Sequence, residues 1–177
     1  MPYTKECKKY FAYGSNMFEA RLRDRIRSAK VIGTYKLPCH DLRFHKRSDK
    51  DKSGKCDAYE TGNVADFILG RLFYIEESEE CKLDKFEGLG AGYEKKSITV
   101  GDDLGNAHDA FTYYADCGYI ETSLRPYTWY REHVLAGAKE GNFPAEYIKK
   151  IKAVSANKDP CPQREKKELD IHEKAKK

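Results

Sequence analysis

The stretch Tyr10-Phe11-Ala12-Tyr13-Gly14-Ser15-Asn16-Met17 decides how this chain is read. It opens as a short apolar run with aromatics on alternate positions, which predicts a strand. The run breaks at Gly14, and Phe18-Glu19-Ala20-Arg21-Leu22-Arg23-Asp24-Arg25 then offers good helix formers. Strand, glycine turn and helix together aim several main-chain N–H groups at one point, where they can hold an anion or a carbonyl oxygen. Gly14 lets a ligand approach the main chain, and Ser15 and Asn16 add short donors and acceptors. The same residues also fit a plain strand-to-helix turn with Asn16 as its N-cap. What the turn holds has to come from the rest of the chain.

Working outward, residues 30–37 read as a strand closed by Pro38, and residues 41–46 as another, with Leu42 and Phe44 on one face. Residues 47–55 hold four basic and two acidic side chains and read as a solvated surface loop. Residues 57–66 are irregular, with room for one short strand. Residues 67–75 are the most hydrophobic segment and predict a central strand covered on both faces. Gly70 in its middle marks a bend or a close backbone neighbour. Ser78 is placed to cap a helix through Cys81, Leu83 and Phe86, which Gly88 stops.

Residues 93–100 and 108–115 alternate on either side of a Gly-Asp-Asn turn and predict a hairpin. Pro126 heads a helix to Glu140 with Tyr127, Tyr130, Val134, Leu135 and Ala138 on one face. Pro144 opens a shorter helix through Tyr147, Ile148, Ile151 and Val154. The expected organisation is one domain over residues 1–155, followed at 156–177 by a charged, flexible tail that orders weakly. Strands in hairpin-like succession, with helices inserted and then stacked at the end, favour an α+β fold. Its sheet would be a mixed or antiparallel sheet or barrel, not a doubly wound parallel one.

Composition narrows the function classes. The chain of 177 residues is long enough to bury a core, and its net charge of +4 is spread over interleaved basic and acidic residues. There is no clean basic stripe with aromatics between, which argues against a nucleic-acid partner. Six cysteines stand scattered without a C-x-x-C pair, and five histidines lack ligand spacing, so no metal site is expected. The start of the chain is charged and has no apolar leader core, and no apolar run reaches the roughly 20 residues of a membrane span. A reduced, cytoplasmic protein with structural thiols, and no membrane partner, is the resulting expectation. No P-loop, dinucleotide fingerprint or G-x-S-x-G elbow is present, so no cofactor and no serine nucleophile are implied.

One acid stands out. Glu87 ends the predicted helix, just before a glycine-rich run, with Phe86 and Leu89 on either side. An acid held in an apolar collar loses solvation, which suits it to move protons as a general base. A helix-end glutamate pointing at water fits the same spacing.

Tyr10-Phe11-Ala12-Tyr13-Gly14-Ser15-Asn16 and Phe86-Glu87-Gly88-Leu89-Gly90-Ala91-Gly92-Tyr93, in this order and at this separation, resemble the γ-glutamylcyclotransferase-like family. The likeness extends through residues 67–75 and 110–116 and the Ala-Gly-Ala-Lys ending near Lys139, covering about residues 8–154. His45-Lys46-Arg47-Ser48 and Ser53-Gly54-Lys55 look like a subset of small microbial members. The resemblance implies a mixed β-barrel surrounded by helices, and release of pyroglutamate (5-oxoproline) from a γ-glutamyl amide by the substrate's own α-amine. No metal and no protein nucleophile would then be needed, because the nucleophile sits in the substrate.

By the same resemblance Glu87 is the catalytic acid/base. Tyr10, Phe11, Ala12, Tyr13, Gly14, Ser15 and Asn16 bind the substrate and its oxyanion, and Tyr113 lies beside Glu87 or the substrate. Tyr130 is a further contact, although core packing accounts equally for it. A small γ-glutamyl substrate is the implied partner, and a homodimer is an expectation by analogy with relatives. The alternatives left standing are a cyclotransferase for γ-glutamylamine isopeptides, one for a biosynthetic γ-glutamyl intermediate, and a non-catalytic γ-glutamyl-binding module.

Overall fold

A computed structural model describes residues 6–176. The first five residues lie outside them, so the charged start read as carrying no leader core is only partly described. Lys177 also lies outside.

Strands β1 (Cys7–Ala12), β2 (Lys30–Pro38), β5 (Phe67–Glu76), β6 (Tyr93–Gly101) and β7 (Ala107–Ala115) form a closed barrel in the order β1-β5-β2-β6-β7. Its neighbours run antiparallel except where β7 meets β1, through the parallel pair Tyr10 and Phe111. The expected mixed barrel is what the chain forms. Strands β3 (His40–Arg47) and β4 (Gly54–Glu60) make a separate antiparallel ribbon. The helices are α1 (Glu19–Arg25), α2 (Glu77–Glu87), α3 (Thr128–Glu140), α4 (Ala145–Ala153) and α5 (Pro162–Lys174).

β5 pairs on both edges, with β1 and with β2, and buries Ile68, Leu72, Phe73 and Ile75. This is the central strand that its apolar density predicts. Gly70 marks the close approach: a Cβ there would stand 2.4 Å from Phe11 Cζ and 2.6 Å from the Ala12 carbonyl oxygen. Phe11 therefore turns into the barrel wall, fully buried. The β6–β7 hairpin forms in the expected register, with Val100 opposite His108.

Helix α3 buries Trp129, Tyr130, Val134, Leu135 and Ala138. Gly137 lets it lie directly on the chain after β1, since a Cβ there would fall 2.6 Å from the Met17 carbonyl carbon. The helix thus backs the glycine turn from behind.

Several expectations need correction. α2 begins at Glu77, with Glu76 at its N-cap, so Ser78 lies inside the helix and does not cap it. α3 begins at Thr128, two residues after Pro126, and α1 begins at Glu19 with Phe18 as N-cap. Asn16 therefore caps nothing; it sits in a short 3-10 turn, Ser15–Met17. The polar segment after β3 is not a solvated loop. Ser48, Asp51 and Ser53 are buried, with Asp51 accepting from the Ser53 N–H and Oγ and from Lys55 Nζ at 2.7 Å. β4 starts at Gly54, inside the segment read as loop.

The charged segment after Asn157 is not a weakly ordered tail either. Helix α5 lays Glu168 against Arg21 and His172 against His133, 2.9 Å between ring nitrogens. Asp159 anchors its approach, accepting from Trp129 Nε1 at 2.8 Å and from Arg164 Nε at 2.7 Å. Low apolar content hid this, because the docking is made by charges and rings instead of an aliphatic stripe.

Candidate active site

At one end of the barrel the glycine turn after β1 and the end of α2 come together. Glu87 is the last residue of α2, and Gly88 follows in the left-handed region at φ 74°. The N–H groups of Gly88 and Leu89 both donate to the Asp84 carbonyl, at 3.0 and 2.9 Å. Such a closure fixes how the helix stops, and so where its last side chain stands.

The Glu87 carboxylate accepts a hydrogen bond from Asn16 Nδ2 at 2.6 Å. Arg25 Nη1 stands 3.6 Å from the same oxygen and donates to Asn16 Oδ1 at 3.1 Å. That contact orients the amide: its oxygen meets the guanidinium, which leaves its nitrogen for Glu87 and, at 3.2 Å, for Tyr10 Oη. Burial lowers the Arg25 pKa, with the neighbouring Arg21 charge acting in the same direction and Glu87 opposing it. The expected apolar collar is not what surrounds the acid. Phe86 and Leu89 are 42% and 38% exposed, while the Glu87 side chain is 16% exposed among polar partners.

Around this acid lies a small cavity lined by Tyr10, Tyr13, Gly14, Ser15, Asn16, Cys56, Glu87, Tyr93, Tyr113 and Tyr130. Of the residues picked out from sequence, Tyr10, Tyr13, Gly14, Ser15, Asn16, Glu87, Tyr113 and Tyr130 meet here. Phe11 and Ala12 do not line it; the Phe11 carbonyl accepts from Thr112 Oγ1 at 2.8 Å, within the barrel wall. Alternation along β1 accounts for Phe11, which faces away from its neighbour Tyr10.

Most of the tyrosine hydroxyls are engaged. Tyr13 Oη donates to the Tyr113 carbonyl at 2.6 Å, and Tyr93 Oη to the Cys56 carbonyl at 2.5 Å. Tyr113 Oη donates to Asp84 Oδ1 at 2.6 Å, so its hydroxyl turns toward Asp84 and its ring edges Tyr10. Tyr130 Oη accepts from the Cys56 N–H at 3.0 Å. Tyr10 Oη has the Asn16 amide as its only hydrogen-bonded partner among the described residues, and there it accepts; its own proton is uncommitted. Burial pushes all of these phenols up, so they remain neutral donors.

Arg25, Cys56 and Tyr93 escaped the sequence reading as site members. Arg25 carried a signal, lying nine positions from Asn16 on the helix that the turn feeds. Cys56 carried none, because it falls between the segment read as a surface loop and the one read as irregular. Its thiol is pushed up to about 12 by burial, which keeps it unreactive. Among the described residues no histidine lines the cavity. His45 instead bonds buried Asp57 at 2.8 Å, and Asp57 accepts the Ala115 N–H at 2.7 Å, tying the β3–β4 ribbon to β7.

Fold and site together define a mixed-barrel protein with a tyrosine-walled cavity, a glycine turn on one side and a single carboxylate on the other. Comparisons with known proteins agree. The AIG2-like family model matches residues 67–151. Over 153 residues the chain is 30% identical to a γ-glutamylcyclotransferase of Bos taurus, covering 84% of this chain and 79% of that protein. A Homo sapiens γ-glutamylcyclotransferase is 29% identical over 156 residues, with the same coverage. A solved structure of a γ-glutamyl cyclotransferase matches with TM-score 0.77 and 27% identity, over 86% of this chain and 90% of that one. The chain belongs to the γ-glutamylcyclotransferase family and is an enzyme of that type.

No helix among the described residues is long and apolar enough to cross a membrane.

Proposed function

We propose that the chain releases 5-oxoproline from γ-glutamyl amides, with Glu87 as the group that moves the proton. The observation that carries this reading is the carboxylate of Glu87, oriented by Asn16 inside a cavity where no side chain is set up as a nucleophile. Cys56 is held as a thiol, and Ser15 has no histidine beside it in the lining. The absence of a protein nucleophile fits an attack by the substrate's own amine.

The steps balance without water. Glu87 takes a proton from the α-ammonium, and the freed amine nitrogen attacks the γ-carbonyl carbon. A new C–N bond forms and the carbonyl electrons move to oxygen, giving an oxyanion. Glu87 passes this proton to the departing nitrogen, the oxyanion collapses and the bond to that amine breaks. The attacking nitrogen, still carrying two protons, gives one up through Glu87 to the departing amine, which leaves as its ammonium form. The products are a five-membered lactam and a free amine. Holding the glutamyl chain folded supplies much of the acceleration, because reactant and nucleophile are one molecule.

The oxyanion and the α-carboxylate need donors. The main-chain N–H groups of Ser15 and Asn16 bond to no other described residue, and the Tyr10 hydroxyl proton is uncommitted. These uncommitted donors belong to residues that line the cavity with Glu87. Tyr113 and Tyr130 act as walls that shape the cavity.

A panel of γ-glutamyl amino acids, peptides and amines, read by mass detection of 5-oxoproline, tests the reading. Release from at least one member supports it. Tight binding of γ-glutamyl compounds with no release would instead favour a binding module.

A further inference from the structure

Resting on that reading, we propose that Lys46 recognises the leaving side of the substrate by binding a carboxylate carried by the departing amine. Among the described residues the buried cationic side chains are Arg21, Lys46 and Arg71. Arg21 pairs with Glu168, and Arg71 with Glu140 at 2.6 Å and the Met17 carbonyl at 2.8 Å. Lys46 has no hydrogen-bond acceptor and no carboxylate in ion-pairing reach among those residues, although only 7% of it is exposed.

Its surroundings are rings and main chain. The ammonium lies 4.5 Å from the centre of the Tyr93 ring and 5.7 Å from that of Tyr119. Gly92 packs against it so closely that a Cβ there would be 2.7 Å from Nζ. Ring faces attract a cation but do not neutralise it. Burial accordingly lowers the Lys46 pKa, and Glu87 is the chief charge opposing that. A buried cation without a counter-charge is costly, and an arriving anion removes the cost. The next cation along, Arg47, is already paired with Asp49 at 3.2 Å and is no rival.

Position says which anion. Tyr93 lines the cavity and Lys46 does not, so the ammonium stands one ring outside the space that holds Glu87 and the glycine turn. With the glutamyl group in the cavity, what extends past Tyr93 is the amine that leaves. A γ-glutamyl amino acid or peptide puts a carboxylate there, whereas a simple γ-glutamyl alkylamide puts none. The unpartnered Lys46 thus selects for carboxylate-bearing leaving groups.

The test compares γ-glutamyl-alanine with γ-glutamyl-ethylamide, which differ by that carboxylate, in wild type, Lys46→Met and Lys46→Arg. Methionine keeps the packing against Tyr93 without the charge. The expected result is a loss of about tenfold or more in kcat/KM for γ-glutamyl-alanine in Lys46→Met, carried by KM, as for a lost charge-assisted contact. The ethylamide should be unchanged, and Lys46→Arg should restore part of the preference. Equal losses for both compounds, or no loss for either, would overturn the proposal. Should wild type release 5-oxoproline from neither, the cyclotransferase reading is decided by the wider panel of γ-glutamyl compounds. Calorimetric titration then still decides Lys46: weaker binding of γ-glutamyl-alanine alone in Lys46→Met supports it, and unchanged affinity overturns it.

Discussion

Glu87 Oε1 and Asn16 Nδ2 lie 2.6 Å apart although 71 positions separate them in the chain. One end of this contact is fixed by the helix stop at Gly88 and the other by the Arg25 guanidinium on Asn16 Oδ1. The acid is thus aimed by a residue of the glycine turn, so the two motifs act as one unit.

Asn16→Ala should uncouple them. With the amide gone, Arg25 is left 3.6 Å from Glu87 and free to close an ion pair that holds the carboxylate charged and turned aside. Release of 5-oxoproline is expected to fall by about 10- to 100-fold, the range for loss of a group that orients a functional side chain. Urea melts should also show a loss of about 1–3 kcal/mol, because Tyr10 and Arg25 lose a buried partner. Full activity would show that Glu87 is oriented without it.

Gly70→Ala tests the packing that carries β1. The added methyl would collide with Phe11 and the Ala12 carbonyl, and the barrel wall has no slack at this point. Destabilisation of about 2–3 kcal/mol is expected from overpacking. An unchanged urea midpoint would mean that β1 and β5 can separate at little cost.

The docking of α5 should weaken in acid. Burial pushes His133 down to about 4, and its ring carries contacts to His172 at 2.9 Å and to Glu168 at 3.2 Å. Burial alone would raise Glu168, but the His133 hydrogen bond and the Arg21 charge outweigh it and hold the carboxyl at about 2. For both groups the unfolded chain binds the proton first. Stability is therefore lost as pH falls from about 6.5 to 4 through His133, and again from about 4.5 to 2 through Glu168, with an effect on the order of 1–3 kcal/mol. Melting temperature and protease resistance of residues 162–174 should both drop between pH 7 and 5. A flat profile would contradict the assignment.

Asp159→Ala should loosen the same segment at neutral pH. The carboxylate is buried and receives Trp129 Nε1, Arg164 and the Cys161 N–H. Its loss leaves a buried indole N–H unpaired, and about 2–4 kcal/mol is the expected cost in a denaturant titration. A change within the error of the titration would show that α5 docks without this anchor.

Much of this fold was legible because periodicity marks what packs on apolar faces. The apolar run at residues 67–75, the alternation of the β6–β7 hairpin and the one-sided face of α3 each carried their own signal. The buried turn between β3 and β4 and the docked α5 did not, since Asp51, Lys55, Asp159 and Arg164 look solvated until their partners are known. At the site, Tyr13, Gly14, Ser15, Asn16 and Glu87 stand out through their likeness to the family's two motifs, and the fold brings them to one cavity. Cys56 and Lys46 do not, because burial is a property of the folded chain and both lie in polar sequence.

The most direct measurement is 5-oxoproline release by Glu87→Gln against wild type, on whichever γ-glutamyl amide the wild type turns over fastest. Glutamine keeps the size of the side chain and can still meet Asn16 through its carbonyl oxygen, so the variant should melt with the wild type. It cannot take the proton from the α-ammonium, and release should fall by at least about 100-fold, the lower range for loss of a general acid–base. A folded Glu87→Gln protein with undiminished turnover would contradict the account at its centre.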